Sequence, residues 1–76
     1  MMDDGLLVAD GFSEAFLGRG RRCGQPDIAV YDVAKMVQIL VERDGISEED
    51  AREHLEFNTI GAWVGPTTPI YVELIP

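Results

Sequence analysis

Val33, Met36, Val37, Leu40 and Val41 recur at i, i+3, i+4, i+7 and i+8. That is the period of an amphipathic helix, and it predicts one over residues 33–43. Ile39 widens the apolar stripe, so this helix is expected to be the most buried element. Asp32 precedes it as an N-cap, and Asp44-Gly45 ends it with a residue free to take positive φ. Two short runs have strand character. Ile28-Ala29-Val30-Tyr31 is β-branched and aromatic. Residues 70–75 alternate, placing Ile70, Val72 and Leu74 on one face. A second helix is predicted from Ser47 to about residue 57. Ser47 is its N-cap, Asp50 sits at N3 as a capping-box variant, and Ile46 can staple onto Ala51. Glu48, Glu49 and Asp50 fill a first turn whose dipole favours carboxylates, and Glu48 is placed to pair with Arg52. The apolar face is thin, comprising Ala51 and Leu55 with Phe57 and Asn58 at its end.

Upstream, Asp10 is positioned to cap a short helix over residues 11–17, with Phe12 and Phe16 on one face and Gly18 and Gly20 as stops. Residues 18–26 then read as a loop, broken by three glycines and Pro26. Residues 1–9 read as a flexible lead-in or, through Leu6, Leu7 and Val8, an edge strand. Residues 10–76 form a single globular domain. The order is α-β-α-α-β. The two long helices are joined by about three residues and must lie antiparallel. The expected class is α+β, an αα-hairpin packed on one face of a short β-sheet, with the pairing sense of the strands left open.

Size and charge narrow the function. The chain has 76 residues and a formal net charge of −8. That balance argues against binding nucleic acid through a bulk positive potential. A lone cysteine excludes an internal disulfide framework and fits a reducing, cytoplasmic setting. A chain this small relies on its hydrophobic core, on a homodimer interface, or on both. No run approaches a membrane span, and the acidic start lacks the features of a signal peptide.

Several strings along the chain carry a resemblance. They are Gly20-Arg21-Arg22-Cys23-Gly24-Gln25-Pro26, Val30-Tyr31-Asp32, Phe57-Asn58-Thr59-Ile60-Gly61-Ala62-Trp63-Val64-Gly65 and Thr68-Pro69-Ile70. From about residue 10 to residue 72 the chain resembles a family of short phage and prophage proteins. The resemblance implies a phage or mobile-element setting and, by analogy, a role directed at the host or its defences. It brings no activity, cofactor or catalytic residue with it.

Candidate chemistry is sparse. Cys23 follows Arg21 and Arg22, whose charges would favour a thiolate, and His54 is the only available imidazole base. His54 is flanked by charged residues on a helix, so a surface histidine and an inert thiol are the plainer reading. The glycines at 18, 20 and 24 miss the dinucleotide spacing by one residue and lead from helix to strand, the wrong context. Arg19, Arg21 and Arg22 form the only basic cluster and could hold a phosphate or carboxylate. Alternatively they balance the acidic helix of the same chain. No zinc or calcium ligand spacing is present, and no cofactor is implied.

Residues 44–56 carry six carboxylates against Arg52. Such a run is usually a solvated helix face, yet it can also imitate a phosphate backbone and dock on a basic groove. Trp63, in a turn-rich segment between Gly61 and Gly65, is either a lid on the helix pair or an anchor for a partner. The favoured expectation is a non-enzymatic, acidic, phage-type accessory protein. Glu48, Glu49, Glu53, Glu56 and Trp63 would contact a host or defence protein with a basic surface, for example to inhibit a nucleic-acid-targeting defence complex. A self-associating structural or regulatory phage protein is one alternative. A thiol or nucleotide-binding protein using Cys23, Arg19, Arg21 and Arg22 is the other.

Overall fold

Asp32 ends a strand and starts a helix with no residue between them. Its Oδ1 accepts from the N–H groups of Ala34 and Lys35 at 3.0 and 3.4 Å, so the chain reverses where the sheet stops. The computed structural model describes residues 6–63 and 65–75. Its strands are β1 (Phe16–Gly20), β2 (Ile28–Asp32) and β3 (Ile70–Val72). Its helices are α1 (Val33–Asp44) and α2 (Glu48–Leu55), with a 3-10 turn at Ser13–Ala15 and a π turn at Glu56–Ile60. The sheet order is β1-β2-β3. β1 pairs antiparallel with β2, and β3 pairs parallel with it. The parallel pairing requires a crossover, which the helix pair and residues 61–69 supply. The result is the expected small α+β layer.

Val33, Met36, Val37 and Leu40 of α1 are buried together with Ala51 and Leu55 of α2 and Ala29 and Tyr31 of β2. Gly45 ends α1 at φ 66°, its N–H donating to the Val41 carbonyl, and Ser47 Oγ accepts from Asp50 N at 3.1 Å to open α2. Both helix signals in the sequence are therefore realised, and Ile46 packs at the core margin.

The N-terminal part departs from expectation. The helix expected over 11–17 is a single 3-10 turn, and part of the expected loop is β1. Gly11 lies at φ 88°, which no right-handed helix accepts, and Asp10 makes no cap; Phe12 stands at that position instead. Phe12 and Phe16 do not share a helical face. Phe12 packs beneath the Arg43 guanidinium, 5.5 Å from its ring centre. Phe16 stands opposite Tyr31 in the sheet, with ring centres 5.6 Å apart and edge-on. Leu6–Ala9 form no edge strand. Ala9 N–H donates to the Tyr31 hydroxyl at 2.9 Å, so a side chain holds this segment. Residues 1–5 of the lead-in lie outside the described residues. β3 stops at Val72, because its partner strand ends at Asp32 and the ladder has nothing further to pair with. α2 stops at Leu55, and the chain continues as the π turn, whose last bond runs from Gly61 N–H to the Glu56 carbonyl at 3.0 Å.

Side chains alternate across the sheet, and a bulge in β1 between Phe16 and Gly18 shifts that alternation by one residue, so these two fall on opposite faces. On the helix side the register aligns Phe16, Tyr31 and Tyr71, with Tyr31 and Tyr71 stacked at 6.0 Å. On the other side it aligns Gly18, Val30 and Ile70, beside Gly20, Ile28 and Val72. Ile28, Val30 and Val72 are only partly buried, and none belongs to the core or packs against it.

Candidate functional site

α2 is attached through a narrow seam. Ala51 and Leu55, four apart, are fully buried, and the remaining circumference faces solvent. Glu48, Glu49, Glu53 and Glu56 are all exposed. Arg52 does not pair with Glu48 as expected. It turns toward β3 and meets Glu73 at 3.6 Å, because the partly buried seam side of the helix faces the sheet. Among the described residues, no ion pair engages the carboxylates of the outer face.

The π turn extends this surface. A Cβ on residue 61 would lie 2.6 Å from the Glu56 carbonyl oxygen, so the turn closes this tightly only around a glycine. Asn58 Nδ2 donates to the His54 carbonyl at 3.1 Å and ties the turn back to α2. Phe57 and Trp63 project from the ends of this segment at 78 % and 75 % exposure. Trp63 is therefore an exposed ring, not a lid over the helix pair. Phe57 was expected at the end of the buried face and is instead the more exposed of the two. The helical period contained the signal. Phe57 is two residues, about 200°, from Leu55, and it is four after Glu53 and eight after Glu49, on their stripe. Val64, between Trp63 and Gly65, lies outside the described residues.

Two members of the basic cluster reach a carboxylate of their own turn. Arg19 and Arg21 converge on Asp27 across the β1–β2 turn, at 3.5 and 3.7 Å. Both guanidinium groups thus lie within ion-pair distance of one carboxylate, and that of Arg21 stays largely exposed. Arg22 is exposed in the same turn, as is the thiol of Cys23. His54 is on α2, in contact with Asn58 at 3.4 Å, and no contact among the described residues joins it to Cys23. The described residues contain no group of three His, Cys, Asp or Glu able to hold a metal ion.

A groove of about 330 Å³ adjoins the π turn, between Val8 and Asp10 on one wall and Asn58, Ala62 and Tyr71 on the other. Burial raises the Tyr71 phenol above its ordinary value, and the neighbouring Tyr31 adds to the shift. The groove is mainly apolar and holds no nucleophile–base pair.

Comparisons with protein-family models, with curated proteins and with solved structures returned no match. No described helix is long and apolar enough to cross a membrane.

Proposed function

We propose that this chain is a non-enzymatic acidic binding protein of the phage accessory type, which docks α2 and the π turn on a basic surface of a host or defence protein. The observation that carries the reading is the joint display of Glu49, Glu53 and Phe57 along one stripe, with Glu48, Glu56 and Trp63 beside it, all exposed. Exposed aromatics are anchors in the centre of interfaces, and flanking carboxylates steer a basic partner and set its register. A surface of this composition can occupy a groove built for a phosphate backbone, so an inhibitor of a nucleic-acid-targeting complex is its most concrete form. The location that follows is the cytoplasm of the host cell.

The test is affinity capture from host lysate followed by direct binding to the purified partner. Replacing Glu49 and Glu53 by Gln should leave the melting temperature nearly unchanged, since exposed helix charges contribute only ~0.3–0.5 kcal/mol per pair. The same variant should bind more weakly, and wild-type binding should fall as salt rises, because attraction between exposed charges is screened within ~8–10 Å. Trp63→Ala should lose binding at every salt concentration. If all these variants bind the purified partner as tightly as wild type at low salt, α2 and the π turn are not its contact surface.

A further inference from the structure

The groove beside the π turn pairs apolar walls with polar groups of one kind. Phe12, Val8 and the Tyr71 ring are part of its lining, and the polar side chains there include Asp10, Asn58 and Thr59. Asn58 uses its Nδ2 on the His54 carbonyl at 3.1 Å, so its Oδ1 is the group left to offer. A carboxylate, an amide oxygen and a hydroxyl oxygen are all acceptors. No Lys or Arg lines the groove, and among the described residues no ion pair engages Asp10, which is exposed and caps nothing. The walls thus offer hydrogen-bond acceptors and one negative charge, with aromatic surface beside them.

We infer that this groove seats an arginine side chain of the basic partner, its stem along the apolar walls and its guanidinium shared by Asp10 and the Tyr71 ring. The inference rests on the proposal that the partner is basic, and it adds an anchor to the steering by α2. The groove is continuous with that surface, since Ala62 lines it and Trp63 follows directly. At about 330 Å³ it stands at the small end of the ~300–1,000 Å³ of ligand pockets, a fit for one side chain rather than a nucleotide.

Charge selects the head group. A neutral or anionic occupant would take water from the Asp10 carboxylate and give it no partner, which is costly. A guanidinium presents a planar fork of five donors, stacks on aromatic faces and is more weakly hydrated than an ammonium. Those properties match acceptors set on two walls better than a point charge does. The same segment of the chain already holds one guanidinium this way. Arg43 lies over the Phe12 ring, 5.5 Å from its centre, and donates to the Gly11 carbonyl at 3.4 Å. Its Nε meets Asp44 at 3.6 Å, so the ion pair of Arg43 is with Asp44 and not with Asp10.

The test titrates the full chain with N-acetyl-arginine amide, and in parallel with its neutral isostere N-acetyl-citrulline amide and with N-acetyl-lysine amide, by amide NMR shifts. The arginine probe should bind in the millimolar range expected of a single side chain, shifting Val8, Asp10, Thr59 and Ala62 together. The citrulline probe should bind roughly fivefold more weakly, the margin between charge-assisted and neutral hydrogen bonds. Asp10→Asn, at an exposed position, should melt like wild type and bring the arginine probe down to the citrulline level. Equal binding of arginine and citrulline overturns the inference, as does tighter binding of lysine or an Asp10→Asn variant that binds arginine as wild type does. Shifts confined to the carboxylates of α2, or to Leu6, Ser13 and Phe16 around the other groove that Asp10 borders, overturn it equally. Because the probe reads the groove without the partner, its failure leaves the α2 proposal standing. Conversely, α2 variants that bind the partner as wild type does leave the titration unchanged in meaning.

Discussion

The two faces of the sheet use the same three strands for opposite ends. On the helix side the row is Phe16, Tyr31, Tyr71, three rings in edge-on and stacked contact. On the far side the row is Gly18, Val30, Ile70, which has no ring and lies outside the core. Cross-strand aromatic pairs add stabilisation beyond the area they bury, and α1 lies over them with Met36 and Leu40 fully buried. The helix side is therefore where the fold is held together. The far side adds little to one copy and has its apolar surface left over. The acidic surface of α2 is a third region, attached by two buried residues and otherwise free of the demands of folding. In so small a chain, the surface that holds the fold and the surface left over from it are thus divided between faces rather than between domains.

The sharpest way to break that division is to place one carboxylate on each face. Leu40→Asp buries an ionised group among Tyr31, Met36 and Leu55, with no cation in the core to pair with it. An unpaired buried carboxylate, even one that takes up a proton, together with the lost Leu40 packing consumes a large part of the ~5–15 kcal/mol that holds a typical domain together, so Leu40→Asp should abolish the cooperative thermal transition seen by circular dichroism. A melt unchanged from wild type would mean that α1 does not cover this face. Ile70→Glu on the opposite face, at an exposed position, should melt within a few degrees of wild type.

Tyr31 offers a smaller effect confined to the helix side. Its ring is buried, but its hydroxyl accepts from Ala9 N–H at 2.9 Å, a hydrogen bond that ties the segment ahead of the 3-10 turn to the sheet. Tyr31→Phe keeps both ring contacts and deletes that acceptor. The expected loss is about 1 kcal/mol, the usual net value of one hydrogen bond. Amide exchange at Ala9 should accelerate by more than at any residue of α1. Protection of Ala9 equal to wild type would show that another group holds the segment.

The same contrast explains what was legible in the sequence. α1, β2 and the start of α2 were readable because local signals agree there: a 3.6-residue apolar period, Asp32 and Ser47 as caps, and Gly45 as a stop. β1 was not, since Phe16-Leu17-Gly18-Arg19-Gly20 lacks β-branched residues and contains two glycines. It becomes a strand because β2 offers a ladder and because Phe16 gains the edge of Tyr31, both non-local facts. Spacing alone could not show that Gly18 and Gly20 fall opposite Val30 and Ile28. Nor could it show that Arg19 and Arg21 would meet Asp27, which depends on the hairpin bringing residues eight and six apart into reach. Of the α2 surface, the carboxylates and Trp63 were legible as candidates. Phe57 is placed by helical phase and not by its hydrophobicity, on the stripe of Glu49 and Glu53.

Tyr71 supplies the finest test, because it lies at the margin of the covered face. Burial disfavours its charged form and the nearby Tyr31 hydroxyl opposes ionisation further, so its pKa in the folded chain lies above the ordinary value of 10.0. The unfolded chain therefore releases this proton first as pH rises. The associated stability is complete below pH 10, declines above it, and is gone once pH has passed the folded-state value. Tyr71→Phe removes the titration while keeping the ring stacked on Tyr31. At pH 7–9 the two proteins should melt within a degree or two of each other. Above pH 10 the wild-type melting temperature should fall more steeply than that of Tyr71→Phe, the difference widening with pH. Parallel curves across that range would mean that Tyr71 is as well solvated in the folded chain as in the unfolded one. The covered face would then end at Tyr31.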